Sequence, residues 1–166
     1  MGRPVIVLVD TMIVIEAVRT ACWNAISGQR TVVTVQECAE ELRRGDPSVR
    51  GYITVSQKDI SRMTIEPLLP AAAAQFRLAY PAADGLDPGE RDLVALATTL
   101  TGEFRLCSCD KAAVVAAHAL GLLDRVVSLE AVTESVGTRP HPPVRAQFTE
   151  ARMGHWRTTL TLGGAI

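Results

Sequence analysis

The stretch PVIVLVDT, residues 4–11, decides the architecture. From Pro4 to Val9 it is apolar and rich in β-branched side chains, with no polar alternation. That is the pattern of a strand buried on both faces of a parallel sheet. Asp10 then stands at the strand's carboxyl end. Downstream, apolar residues recur at helical spacing from Met12 to Ala25, and Gly28 marks a stop before a second β-branched run, Thr31–Val35. Strand, helix and strand in this order predict a βαβ unit.

The alternation continues along the chain. Gln36–Arg44 reads as a helix with Cys38, Ala39 and Leu42 inward, and with Arg43 and Arg44 at its carboxyl end, where positive charge suits the helix dipole. Gly45-Asp46-Pro47 closes it. Residues 48–69 have no single reading, since Tyr52–Val55 suits strand or helix. Ala71–Tyr80 and Gly89–Thr101 are predicted helices around a polar loop, and Phe104–Ser108 is a buried strand. Asp110 opens a helix running to Leu120, stopped by Gly121. Val126–Leu129 is the last strand and Glu130–Val136 a short helix. The expected fold class is therefore α/β, a three-layer arrangement with a mainly parallel central sheet flanked by helices over residues 1–137. Residues 138–166 open with prolines around His141 and include a β-branched stretch, Thr158–Leu162; they read as a basic extension rather than a second domain.

Composition narrows the function. Aromatic residues are only 4% against 48% hydrophobic content, which predicts an aliphatic core of helix–strand contacts. A net charge of −1 gives no global attraction to nucleic acid or to an anionic membrane, so any RNA affinity must come from local patches. The longest apolar stretch, Ala112–Leu123, is interrupted by His118 and is shorter than the roughly 20 residues a spanning helix needs. Val5–Val9 is too short for a secretory signal. Cys22, Cys38, Cys107 and Cys109 contain no C-x-x-C pair and read as reduced, buried thiols, which fits a cytoplasmic protein. His118, His141 and His155 are too scattered for a zinc set.

Separate segments each deliver an acid to the place where an α/β sheet gathers its ligands, the carboxyl ends of the strands. Asp10 follows the first strand, Glu37 the second and Asp110 the Phe104–Ser108 strand, while Glu90 and Asp92 open the Gly89 helix. Each also has an ordinary role, because Asp caps helices and acids suit the first helical turn. Their joint placement is what points to a site. Grouped carboxylates raise one another's pKa unless a cation compensates, and oxygen-only donors suit Mg²⁺ or Mn²⁺. Phosphodiester hydrolysis is the chemistry such a group serves.

The motifs VLVDT (7–11), QECAEEL (36–42), GERDLVALA (89–97) and CSCDKA (107–112), in this order, resemble the PIN-domain ribonuclease family, including its toxin–antitoxin members, and the likeness covers residues 4–136. The resemblance implies that Asp10, Glu37, Asp92 and Asp110 bind one or two Mg²⁺ or Mn²⁺ ions and cut RNA to leave a 5′-phosphate. The acid of the third motif reads against Glu90 or Asp92, and helical register favours Asp92. Thr11 and Ser108 look like the hydroxyl residues that orient the first and last acids. RNA as substrate, a cognate antitoxin and a homodimer are the partners implied. One departure stands out: Met12 replaces the Asn or Ser that the family commonly has there. It also argues against a haloacid-dehalogenase-like phosphatase, which needs an Asp at that position. A catalytically weak PIN-fold module that binds RNA or protein is the alternative.

Two basic stretches are candidate RNA surfaces. Arg43, Arg44, Arg50, Lys58 and Arg62 are opposed only by Asp46 and Asp59 across residues 43–62. The extension carries Arg139, Arg145, Arg152 and Arg157, with Phe148 and Trp156 as rings on which bases would stack, and it reads equally as a dimer arm or partner-binding tail. Lys111, beside Asp110, is a further cation within reach of a phosphate.

Overall fold

The computed structural model describes residues 5–166. Pro4, the first residue of the predicted opening strand, lies outside the described residues. The chain forms an α/β layered structure around a five-stranded sheet in the order β3-β2-β1-β4-β5, with every neighbouring pair parallel. Its strands are β1 (Ile6–Val9), β2 (Thr31–Val35), β3 (Thr64–Glu66), β4 (Phe104–Cys107) and β5 (Val126–Val127). The chain leaves β1 for β2 on one side and later returns to lay β4 on the other. The switch in direction therefore falls between β1 and β4, where such sheets open a crevice.

Central strands buried on both faces explain the unbroken apolar run. Leu8, beside Val33 and Leu106, packs on one face with Phe76, Leu93 and Val114. Val7 and Val9 point to the other face, with Ile13, Trp23, Ile26 and Leu129. The first face is covered by α5 (Pro70–Ala79), α6 (Pro88–Thr99) and α7 (Lys111–Ala119), the second by α1 (Thr11–Arg19), α2 (Trp23–Gln29) and α8 (Leu129–Ser135). Between them in the chain lie α3 (Gln36–Arg44) and the short α4 (Gln57–Ile60). The helix expected over Met12–Ala25 is broken in two. Thr20 Oγ1 bonds back to the Glu16 carbonyl at 2.8 Å, and Ala21 takes a left-handed φ of 57° that turns the chain. Gly28, expected as the stop, lies inside α2.

The C-terminal extension is built into the core. Its β-branched end is helical, as part of α9 (Glu150–Thr161), whose Met153, Trp156 and Leu160 are buried with the α6–α7 layer while Phe148 packs in the opposite layer. Thr149 starts the helix by accepting from the Arg152 N–H. A buried carboxylate secures the approach: Glu16, on α1, accepts from Arg19 at 2.8 and 2.6 Å and from the Arg145 backbone N–H at 2.8 Å. Burial opposes ionisation of Glu16, but these hydrogen bonds and the two guanidinium charges hold it below the usual carboxylate range. Among the described residues no helix is long and apolar enough to cross a membrane.

Candidate active site

The ends of β1 and β4 are tied together by one hydroxyl. Asp10 follows β1 and caps α1, its Oδ1 accepting from the Ile13 N–H at 2.9 Å, while its Oδ2 accepts from Ser108 Oγ at 2.9 Å. Ser108 Oγ also accepts from the Asp110 N–H at 3.1 Å, and Asp110 caps α7 by accepting from Ala113 N–H at 2.7 Å. Both aspartates thus cap helices and belong to one site. Asp10 is only 5% exposed, with each of its two oxygens held by a different donor.

The other wall comes from α3 and α6. Thr11 Oγ1 donates to Glu41 Oε2, joining the start of α1 to the middle of α3. At Gly89 an added Cβ would stand 2.9 Å from Cys38 Sγ and 3.4 Å from Glu41 Oε1, so the missing side chain lets the first turn of α6 approach α3. The result is a cleft of about 220 Å³ lined by Asp10, Thr11, Met12, Cys38, Glu41, Asp87 and Glu90. Gly89→Ala gains helix propensity but crowds a buried thiol, and overpacking dominates: a net loss of about 1 kcal/mol is expected in urea denaturation.

Charge crowding and burial act together here. Asp10 is pushed up to about 6, first by burial and further by the Asp110 carboxylate, against the hydrogen bonds from Ile13 and Ser108. Glu90 rises to about 8 through burial and repulsion from Asp110, Asp10 and Asp87. Burial and the neighbouring Asp10 push the Cys38 thiol up to about 12. Among the described residues no three Asp, Glu, His or Cys side chains form a ready-made metal-ligand group.

The raised values carry a stability consequence. Between its ordinary and its folded pKa each acid binds more protons folded than unfolded, so the stabilisation is complete below the ordinary values and is lost as pH rises through about 6 for Asp10 and about 8 for Glu90. The opposite contribution of Glu16, whose pKa is lowered, is constant above the ordinary carboxylate range. In EDTA the thermal midpoint is therefore expected to fall from about pH 5 to about pH 8, and Glu90→Gln to flatten the upper half of that profile.

Of the acids and hydroxyls singled out in the sequence, Asp10, Thr11 and Glu90 line the cleft; Ser108 and Asp110 do not, though Ser108 bonds both Asp10 and the Asp110 N–H. Glu37 and Asp92 do not line it. Asp92 lies 3.5 Å from the Arg91 guanidinium on its own helix, and Glu37 sits one turn before Glu41. Glu41 and Asp87 are the acids the sequence reading passed over. The signal for Glu41 was its place one turn on from Glu37, on the same side of α3. Two positions at 100° per residue put Glu90 and Asp92 on nearly opposite sides of α6, so one helix cannot present both.

The basic side chains of residues 43–62 are exposed: Arg44 pairs with Glu40, and Arg62 reaches Ser27 Oγ at 3.4 Å. Lys111 is exposed at the first residue of α7. The tail's stacking rings are overturned as a base platform, since Phe148 is 1% and Trp156 9% exposed, committed to the core by the packing of α9. Arg145 and Arg157 are paired with Glu16 and Glu150, and Arg152 stacks over Trp156. In comparisons with protein-family models, curated proteins and solved structures, no match to this chain is found.

Proposed function

We propose that the chain is a PIN-type, divalent-metal-dependent endoribonuclease acting in the cytoplasm, with Asp10, Glu41, Glu90 and Asp110 as its working acids. One observation carries the reading: Asp10, Glu41 and Glu90 line one cleft at the β1–β4 crevice, Asp110 is joined to Asp10 through Ser108, and among the described residues none of the four pairs with a lysine or arginine. A structural acid cluster would be neutralised by its own chain, whereas Asp10 is buried and Glu90 and Asp110 are half-buried beside one another with no cationic partner among the described residues.

The donor chemistry fits Mg²⁺ or Mn²⁺, being oxygen-rich and short of positive charge, although a cation would have to draw the acids closer than they stand. Such an ion supplies charge neutralisation at a phosphate and makes water more acidic. The chain's own groups do the rest. Ser108 and the Ile13 N–H fix the two oxygens of Asp10, and Thr11 fixes Glu41. Burial and the neighbouring Asp110 and Asp10 raise Glu90 to about 8, and a cation held there would lower it. The resemblance also implies a cognate antitoxin and a second copy of the chain as partners.

The test is cleavage of a mixed-sequence RNA by the purified chain and its Asp10→Asn variant in Mn²⁺, Mg²⁺ or EDTA. Cutting that needs metal and disappears in the variant is expected. No cutting under any condition would replace the nuclease with a binding module.

A further inference from the structure

We propose that the side chain of Met12 is a shelf for a nucleobase, so that the cleft takes single-stranded RNA with an unstacked base beside the phosphate at the acids; this rests on the nuclease reading above. Met12 is the second residue of α1, adjoins Asp10 and Thr11 in the cleft wall, and is 43% exposed. The other large apolar side chains exposed among the described residues, Val49, Leu69, Leu78 and Leu162, lie outside that cleft. A scattered exposed methionine would call for no explanation. This one stands at the rim of a cleft whose other side chains include Asp10, Glu41, Asp87 and Glu90.

The chemistry of the cleft selects what Met12 can touch. Carboxylates repel a phosphate backbone, so a strand held there without help from a cation draws its binding from something uncharged. A thioether packs well on aromatic rings and adapts its three rotatable bonds to rings of different shape. Every nucleobase offers such a face, which makes the contact tolerant of sequence. In an A-form duplex those faces are stacked inside the helix and out of reach, whereas a single strand can splay one out.

The experiment uses the full chain carrying Asp10→Asn, so that RNA stays intact, and measures binding of a short fluorescein-labelled single-stranded RNA in Mg²⁺ by anisotropy. Three probes are compared: the ordinary strand, the same strand with abasic sites, and a duplex. Adding Met12→Ser is expected to weaken binding of the ordinary strand by about three- to tenfold, the strength of a thioether–ring contact, with no further loss on the abasic strand. Met12→Leu, which keeps an apolar shelf, is expected to restore most of the affinity, and the duplex to bind more weakly than the single strand. Equal loss on ordinary and abasic strands, no loss at all, preference for the duplex, or no binding by the parent variant would each overturn the shelf. Metal-dependent cleavage by the unsubstituted chain alongside any of these results would leave the nuclease standing and remove Met12 from it; base-dependent binding without cleavage would do the reverse.

Discussion

Glu90→Gln is expected to lower metal-dependent RNA cleavage by at least about a hundredfold, while Asp92→Asn, two residues away, changes it by less than about threefold. Loss of a carboxylate that only orients another ligand already costs about ten- to a hundredfold in metal sites, so loss of a member of the cluster sets the lower bound. Glu90 lines the cleft and is raised by Asp110 and Asp10, whereas Asp92 lies beside Arg91 on another side of α6. The same contrast is expected between Glu41→Gln and Glu37→Gln. Thermal melts in EDTA should show Glu90→Gln folded and no less stable than the parent near pH 8, because a half-buried charge repelled by its neighbours has been removed. Rates from single-turnover cleavage, compared across the four variants, check the assignment; similar losses at Glu90 and Asp92 would break it.

Phe148→Ala is expected to cost about 3–5 kcal/mol in urea denaturation, a large share of the roughly 5–15 kcal/mol that holds a domain folded. The ring is 1% exposed and packs in the layer with Ile13, Trp23 and Leu129, far in sequence from its own position. Leu162→Ala, at a residue 81% exposed just beyond α9, should stay within about 0.5 kcal/mol. Together the pair distinguishes a segment that completes the core from a tail that merely follows it. A Phe148→Ala loss below about 1 kcal/mol would return the extension to the status of an appendage.

The layered fold was legible because its strands are buried on both faces, and such strands advertise themselves as unbroken apolar runs such as Ile6–Val9 and Phe104–Cys107. Asp10 and Asp110 were legible for the same reason, since each ends such a run. Glu41 and Glu90 were harder because they sit on helices, where choosing among neighbouring acids requires knowing which side faces the crevice. Glu40, Glu41 and Glu37 share one short helix, and only the Thr11 hydrogen bond and the close approach at Gly89 decide among them. The helix in the extension was not legible because Thr158 and Thr159 are β-branched, while the feature that organises α9 is the spacing of Met153, Trp156 and Leu160 along a helix capped by Thr149. That spacing gains meaning only once two open core layers exist to receive it.

The most direct test of the central claim is a calorimetric titration of Mn²⁺ into the metal-free chain near pH 7, repeated in two buffers of different ionisation enthalpy. The expected result is saturable binding accompanied by proton release, since Glu90 is raised to about 8 by burial and its acidic neighbours and a bound cation would lower it, with binding retained in Asp92→Asn and lost in Glu90→Gln. Absence of saturable binding, or binding that survives Glu90→Gln unchanged, would contradict the assignment of this cleft as the metal-dependent site.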